Sequence, residues 1–164
     1  MQDIYTLFEF SRDADISSWT VVNDGVMGGL SKGQFSINEE GHGLFRGSVS
    51  LENNGGFSLV QYRLTALDTK KYNSLVVRLK GDGKNYQVRL KTNASDYFNY
   101  AVNIKTNGNW ETITIPFEKM IPQFRGRLLN MPSFPGEQIE EVAFLIGNKK
   151  AEEFKLEIDK IVLK

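Results

Sequence analysis

The chain contains no cysteine. Disulfide frameworks, thiolate metal sites and thiol nucleophiles are thereby excluded. It has a single histidine, His42, so the common nucleophilic triads and zinc sets have no parts to use. Net charge is missing as well, because 20 basic residues offset 20 acidic ones. That balance argues against a broad electrostatic footprint for nucleic acid or an anionic membrane and leaves room only for local patches. No apolar run approaches the ~18 residues of a membrane span, so no membrane insertion is expected. The opening residues Met1-Gln2-Asp3-Ile4-Tyr5 show no basic stretch followed by an apolar one, the mark of a signal peptide. The chain is expected in the cytoplasm if it is complete, and in the periplasm if a signal peptide was removed.

What is present reads as β scaffold. The 164 residues suit one domain, and no repeat, linker or low-complexity segment divides them. Apolar residues alternate with polar ones: Leu75, Val77 and Leu79 in one run, Tyr86, Val88 and Leu90 in the next. Gly81-Asp82-Gly83-Lys84 between them reads as a hairpin turn, and Thr106-Asn107-Gly108-Asn109 as a further turn that joins the run Phe98, Tyr100, Val102, Ile104 to a strand from Trp110 to Ile115. About ten short strands are expected, in an antiparallel jelly-roll sandwich. In the last strand the apolar phase slips near Asp159-Lys160, which implies either a β-bulge or an end buried on both faces. Residues 116–136, with Pro116, Pro122, Pro132 and Pro135, read as a long irregular connection, with a helical turn or two over 118–124 and another opening at 135–138.

Nine of the fifteen glycines fall between Gly25 and Gly56, a density that requires a geometric reason. Asn23-Asp24-Gly25 reads as a turn held by the aspartate side chain. Val26 and Met27 place apolar groups between glycines, and an exposed methionine on a pliable loop is an adaptable protein-binding element. The alternative is a plug under the sandwich. Asn53-Asn54-Gly55-Gly56 reads as a left-handed turn or bulge. Asp24, Val26, Met27, Ser31 and Asn54 are therefore candidate partner contacts, with Arg125 and Arg127 as charged rim residues. Gly41 to Gly47 and Gly29 to Gly33 miss the dinucleotide and phosphate-loop spacings.

A second candidate surface comes from strand parity. Gln87, Arg89 and Lys91 point one way along their strand, and Tyr97, Asn99 and Asn103 point outward from the next. If the strands are neighbours, Arg89, Lys91, Tyr97 and Asn99 form a polar face suited to a carbohydrate or peptide, or simply a wet face of the sheet. His42, between two glycines, reads as a solvated residue at a hairpin tip. No pair of acids is marked for glycoside chemistry, and no catalytic residue is assigned. No cofactor is expected. Glu9 and Asp159 are weak candidates for a structural calcium ion if the first and last strands pair, the bland reading being solvation or pairing with lysines.

Trp19, the phrase Asn23-Asp24-Gly25-Val26-Met27-Gly28-Gly29 with Ser31, then Gly43-Leu44-Phe45-Arg46-Gly47 and Leu51-Glu52-Asn53-Asn54-Gly55-Gly56-Phe57 resemble the complex I intermediate-associated protein 30 family. Trp110, Pro116-Phe117 and Phe124-Arg125-Gly126 continue the likeness over nearly the whole chain. The resemblance implies a galactose-binding-like jelly roll similar to carbohydrate-binding modules. It also implies an assembly factor with a protein partner of the kind found in a membrane or redox complex, since mitochondrial members act as assembly chaperones of respiratory complex I and plant relatives serve photosystem biogenesis. It supplies no active site. A non-enzymatic binding domain that grips a protein through the glycine-rich loop is the expectation, with a carbohydrate-binding module using the polar face as the alternative.

Overall fold

The computed structural model describes residues 3–24, 29–52 and 56–164. They form thirteen strands: β1 (Tyr5–Glu9), β2 (Trp19–Asn23), β3 (Lys32–Ile37), β4 (Gly43–Val49), β5 (Ser58–Asp68), β6 (Ser74–Lys80), β7 (Asn85–Lys91), β8 (Asn99–Lys105), β9 (Trp110–Pro116), β10 (Ile121–Phe124), β11 (Arg127–Leu128), β12 (Gln138–Ile146) and β13 (Glu152–Leu163). All pairings are antiparallel. The smaller sheet has six strands, in the order β3-β4-β13-β6-β9 with β1 also on β13. The larger has seven, in the order β11-β10-β8-β7-β12-β5-β2. Each sheet turns its apolar side to the other, with Phe45, Leu75, Leu79, Leu156 and Ile158 from one layer and Val88, Leu90, Val142, Phe144 and Ile146 from the other buried between them. The expected antiparallel sandwich is what forms.

The chain changes layer at most connections, and this corrects the hairpin expected at 81–84. β6 belongs to the smaller sheet and β7 to the larger, so residues 81–84 form a crossover. Residues 106–109 likewise carry the chain from β8 in the larger sheet to β9 in the smaller. The two corners brace each other: Thr106 Oγ1 accepts from Gly83 N at 3.0 Å and donates to Lys84 O at 2.8 Å. The Asp82 carboxylate accepts from Tyr86 Oη at 3.0 Å and from Lys155 N at 2.8 Å.

The stretch expected to be irregular contains two more strands. β10 pairs with β8, placing Pro122 opposite Tyr100, and turns through Arg125-Gly126 into the two-residue edge strand β11. The expected helical turns reduce to one 3-10 turn at Phe117–Lys119, and none forms at 135–138. At the other end of the chain β1 pairs with β13, Tyr5 opposite Leu163. The phase slip in β13 is a bulge: Ile158 pairs with Leu79 and Lys160 with Arg78, leaving Asp159 as the extra residue. Val162 is buried too, so both readings of that end describe it.

Candidate functional site

The glycine-rich segments are tied together at their roots by Asp24. Its carboxylate is buried and accepts from Ser31 Oγ at 2.6 Å, Ser31 N at 3.1 Å, Gly56 N at 2.5 Å and Phe57 N at 3.2 Å. Burial is the largest single influence on this acid and pushes its pKa up; the four hydrogen bonds together outweigh it and hold the pKa below the ordinary carboxylate value. Ser31 is buried as well and also bridges to Ser50, accepting from its N–H at 2.9 Å. Asp24 and Ser31 were expected to meet a partner; instead they bond to the chain itself, because a buried carboxylate is stable only when its lone pairs are filled. The glycines follow the same logic. A Cβ on Gly29 would collide with the Asp24 carboxylate, and one on Gly47 with the Lys32 carbonyl and Gly33 Cα of the adjacent strand. Val26, Met27 and Asn54 lie outside the described residues.

The polar face is assembled as parity implies, on the outer side of the larger sheet. Three rows of side chains run across it. Gln123 stands opposite Asn99, and Lys91 opposite Glu141, which stands opposite Arg63. In the next row Ile121, Ala101, Arg89, Ala143 and Gln61 follow one another. The third holds Asn103, Gln87 and Leu145. Ala101 and Ala143 stop at Cβ and are buried beside the Arg89 stem, and the open trough on this face is formed by two hollows in the neighbouring row. Arg89 Nε donates to Gln87 Oε1 at 2.5 Å, and Gln87 Nε2 donates to Asn103 Oδ1 at 3.1 Å. Among the described residues no acceptor meets the terminal nitrogens of Arg89 or the amide nitrogen of Asn103. Burial pushes the Arg89 pKa down to about 10, against the pull of the Glu141 charge, and leaves it cationic at neutral pH. Glu141 is occupied by Arg63 Nε at 3.1 Å.

Two hollows meet on this face, of about 320 and 300 Å³, and Gln87 and Asn103 line both. Of the other expected face residues, Asn99 accepts from Gln123 Nε2 at 2.6 Å, and Lys91 Nζ donates to Asp96 O at 2.9 Å. Tyr97 stands in the bend before β8, exposed, with its ring 5.3 Å from Phe124. Arg125 and Arg127 are exposed on the β10–β11 turn, Arg125 with φ 50° and its guanidinium 5.1 Å from the Phe124 ring. Sequence reasoning missed Ala101, Ala143, Gln123 and Lys119; the outward parity of Ala101 and Ala143 was readable but not their neighbours, while Gln123 and Lys119 lie in the stretch read as irregular, where no alternation marks a face.

His42 and Asp159 occupy the opposite outer face. His42 is half-buried, 4.5 Å from the Trp110 ring, with Nε2 3.8 Å from Asp159 Oδ1. Packing against Trp110 is what the solvated-tip reading lacked. Arg78 pairs with Asp159 at 3.1 Å and lies 4.6 Å over the same indole. Glu9 comes level with Lys160, beside Asp159, but the Asp159 carboxylate is shared with Arg78. Among the described residues no three His, Cys, Asp or Glu side chains are grouped to share a metal ion.

Two antiparallel layers with a polar trough on one outer face place the domain among galactose-binding-like sandwiches. A family 11 carbohydrate-binding module from Clostridium thermocellum, solved with a β-1,3-1,4-mixed-linked tetrasaccharide, superposes with TM-score 0.69 at 17% identity, over 98% of this chain and 94% of that one. A family 29 carbohydrate-binding module matches with TM-score 0.58 at 9% identity, over 99% and 91%. The likeness at these identities is one of fold. The chain belongs to the Complex I intermediate-associated protein 30 family, whose model matches residues 8–158. The mitochondrial proteins of that name from Drosophila melanogaster and Mus musculus are 26% and 22% identical to it, over 96% and 97% of this chain. The alignments span 62% and 56% of those relatives, less than two thirds of their length.

Proposed function

We propose that this domain is a non-enzymatic binding module of the assembly-factor type, which holds a protein subunit of a respiratory or other membrane complex during assembly. Family membership supports the assembly role. The contact surface is the outer face of the larger sheet, and one observation carries that assignment: Arg89 stands in the row beside the trough, between two buried alanines, and among the described residues its terminal nitrogens meet no acceptor. A sheet face without a ligand usually carries charges paired in the open or fully solvated. Here a partly desolvated cation and an array of amides are held in fixed register. The glycine-rich segment, with Met27 as apolar anchor and Arg125 and Arg127 at the rim, is a further contact in this reading.

A photo-crosslinking side chain tests the surface directly. Placed at Asn103 in cells that make the protein, it is expected to trap a subunit of a membrane or redox complex. Placed at Thr112, exposed on the other sheet, it is expected to trap none. Equal capture from both positions, or no such subunit from Asn103, refutes the surface assignment. A second reading rests on the fold shared with the family 11 module: a carbohydrate lying on Arg89, Lys91 and Asn99, with Tyr97 at the edge. A glycan array that stays blank removes it.

A further inference from the structure

The two hollows on the outer face of the larger sheet share a property that composition conceals. The chain has as many acids as bases, yet no residue lining either hollow is acidic. Lys119 lines one and Lys149 the other, with Gln87 and Asn103 common to both. Arg89 stands in the adjacent row, and Glu141, the acid nearest to it on this face, is held by Arg63. The path therefore crosses β10, β8, β7 and β12 with cations at its ends and beside its middle. The unpaired charged groups along it are all cationic, the guanidinium of Arg89 and the ammonium groups of Lys119 and Lys149, while among the described residues the Asn103 amide adds a spare donor and Asn85 and Asn148 keep spare amide oxygens. Unpaired cations with no acid among them call for a ligand that carries negative charge. No aromatic ring is exposed in either lining apart from the edge of the buried Tyr86, and Tyr97 lines neither hollow. A sugar chain that depends on ring stacking has no platform there.

We infer that the occupant of this trough is an extended, acidic polypeptide segment of the partner. Its carboxylates meet Arg89, Lys119 and Lys149, and its backbone carbonyls meet Asn103. The inference rests on the proposed partner-binding role and names the chemistry of that partner.

The test uses the full chain labelled with ¹⁵N and an oligoglutamate peptide of about ten residues, long enough at ~3.3 Å per residue to cross the sheet. Saturable shifts are expected in the side-chain amides of Gln87 and Asn103. Affinity is expected to fall about ten-fold in Arg89→Gln, the loss of one charge-assisted contact. The double variant Lys119→Glu with Lys149→Glu is expected to weaken it at least as much. Both of its sites are at the surface, which keeps the test valid should Arg89→Gln fold poorly. Added salt is expected to weaken binding further. The inference is overturned if those amides do not move, if oligolysine binds equally well, or if the mixed-linked tetrasaccharide shifts them and oligoglutamate does not. If oligoglutamate fails while the crosslink at Asn103 persists, the docking face stands and its acidic ligand falls. If both fail, the docking face falls with it.

Discussion

Asp24 shows how much one side chain in this domain does for distant backbone. Its side chain holds backbone, as expected, but its bonds to Gly56 and Phe57 join positions more than thirty residues away. No local pattern announces such a bond, and so the sequence phrase read equally well as a contact loop. The linkage sign follows from its depressed pKa. The ionised form is favoured by folding, so its stabilisation is fully present above the ordinary carboxylate value of 3.8 and is lost as pH falls through the lower folded value. Asp24→Asn is expected to lower stability at neutral pH by about 2–3 kcal/mol, the scale of buried bonds to a charged group. The deficit is expected to shrink toward pH 2. Thermal unfolding of both proteins across that range checks it; a deficit independent of pH contradicts the ionised staple.

Strands were legible wherever apolar residues alternate, and the register of β13 shows how far such reading goes. Phe154, Leu156 and Ile158 face the core, as do Ile161 and Leu163, with Asp159 as the odd residue between. Removing Asp159 restores a regular ladder and leaves every later residue on its present side. Its deletion is therefore expected to be tolerated at a cost of about 1–2 kcal/mol, for a half-exposed ion pair with Arg78 and one backbone bond from Phe10. Deleting Lys155 instead turns Leu156 outward against Phe154 and is expected to abolish soluble protein. Chemical denaturation of the two deletions separates the outcomes, and equal damage from both removes the bulge argument. Other features stayed hidden. Pro122 masked β10, since proline lacks the N–H that a ladder uses and signals a break. The turns at 81–84 and 106–109 carry hairpin chemistry, and nothing in a turn sequence states whether the next strand returns to the same sheet. For the same reason the rows that make the trough became visible only once β7 was known to lie between β8 and β12.

Across the whole molecule, zero net charge coexists with an outer face whose hollows are lined only by neutral and cationic groups. A composition count averages the two outer faces, and binding depends on one. The sandwich is closed by contacts between residues far apart in sequence, a topology that folds slowly relative to its stability. One consequence concerns the pairing of Tyr5 with Leu163. The first and last strands of the domain are neighbours on one sheet, so a short glycine-serine bridge can join them and fresh ends can be opened beside the exposed Asn107 in the turn between β8 and β9. Such a circular permutant is expected to keep its near-ultraviolet circular dichroism and its trough, which makes the domain a cassette that can be rewired without touching its ligand face.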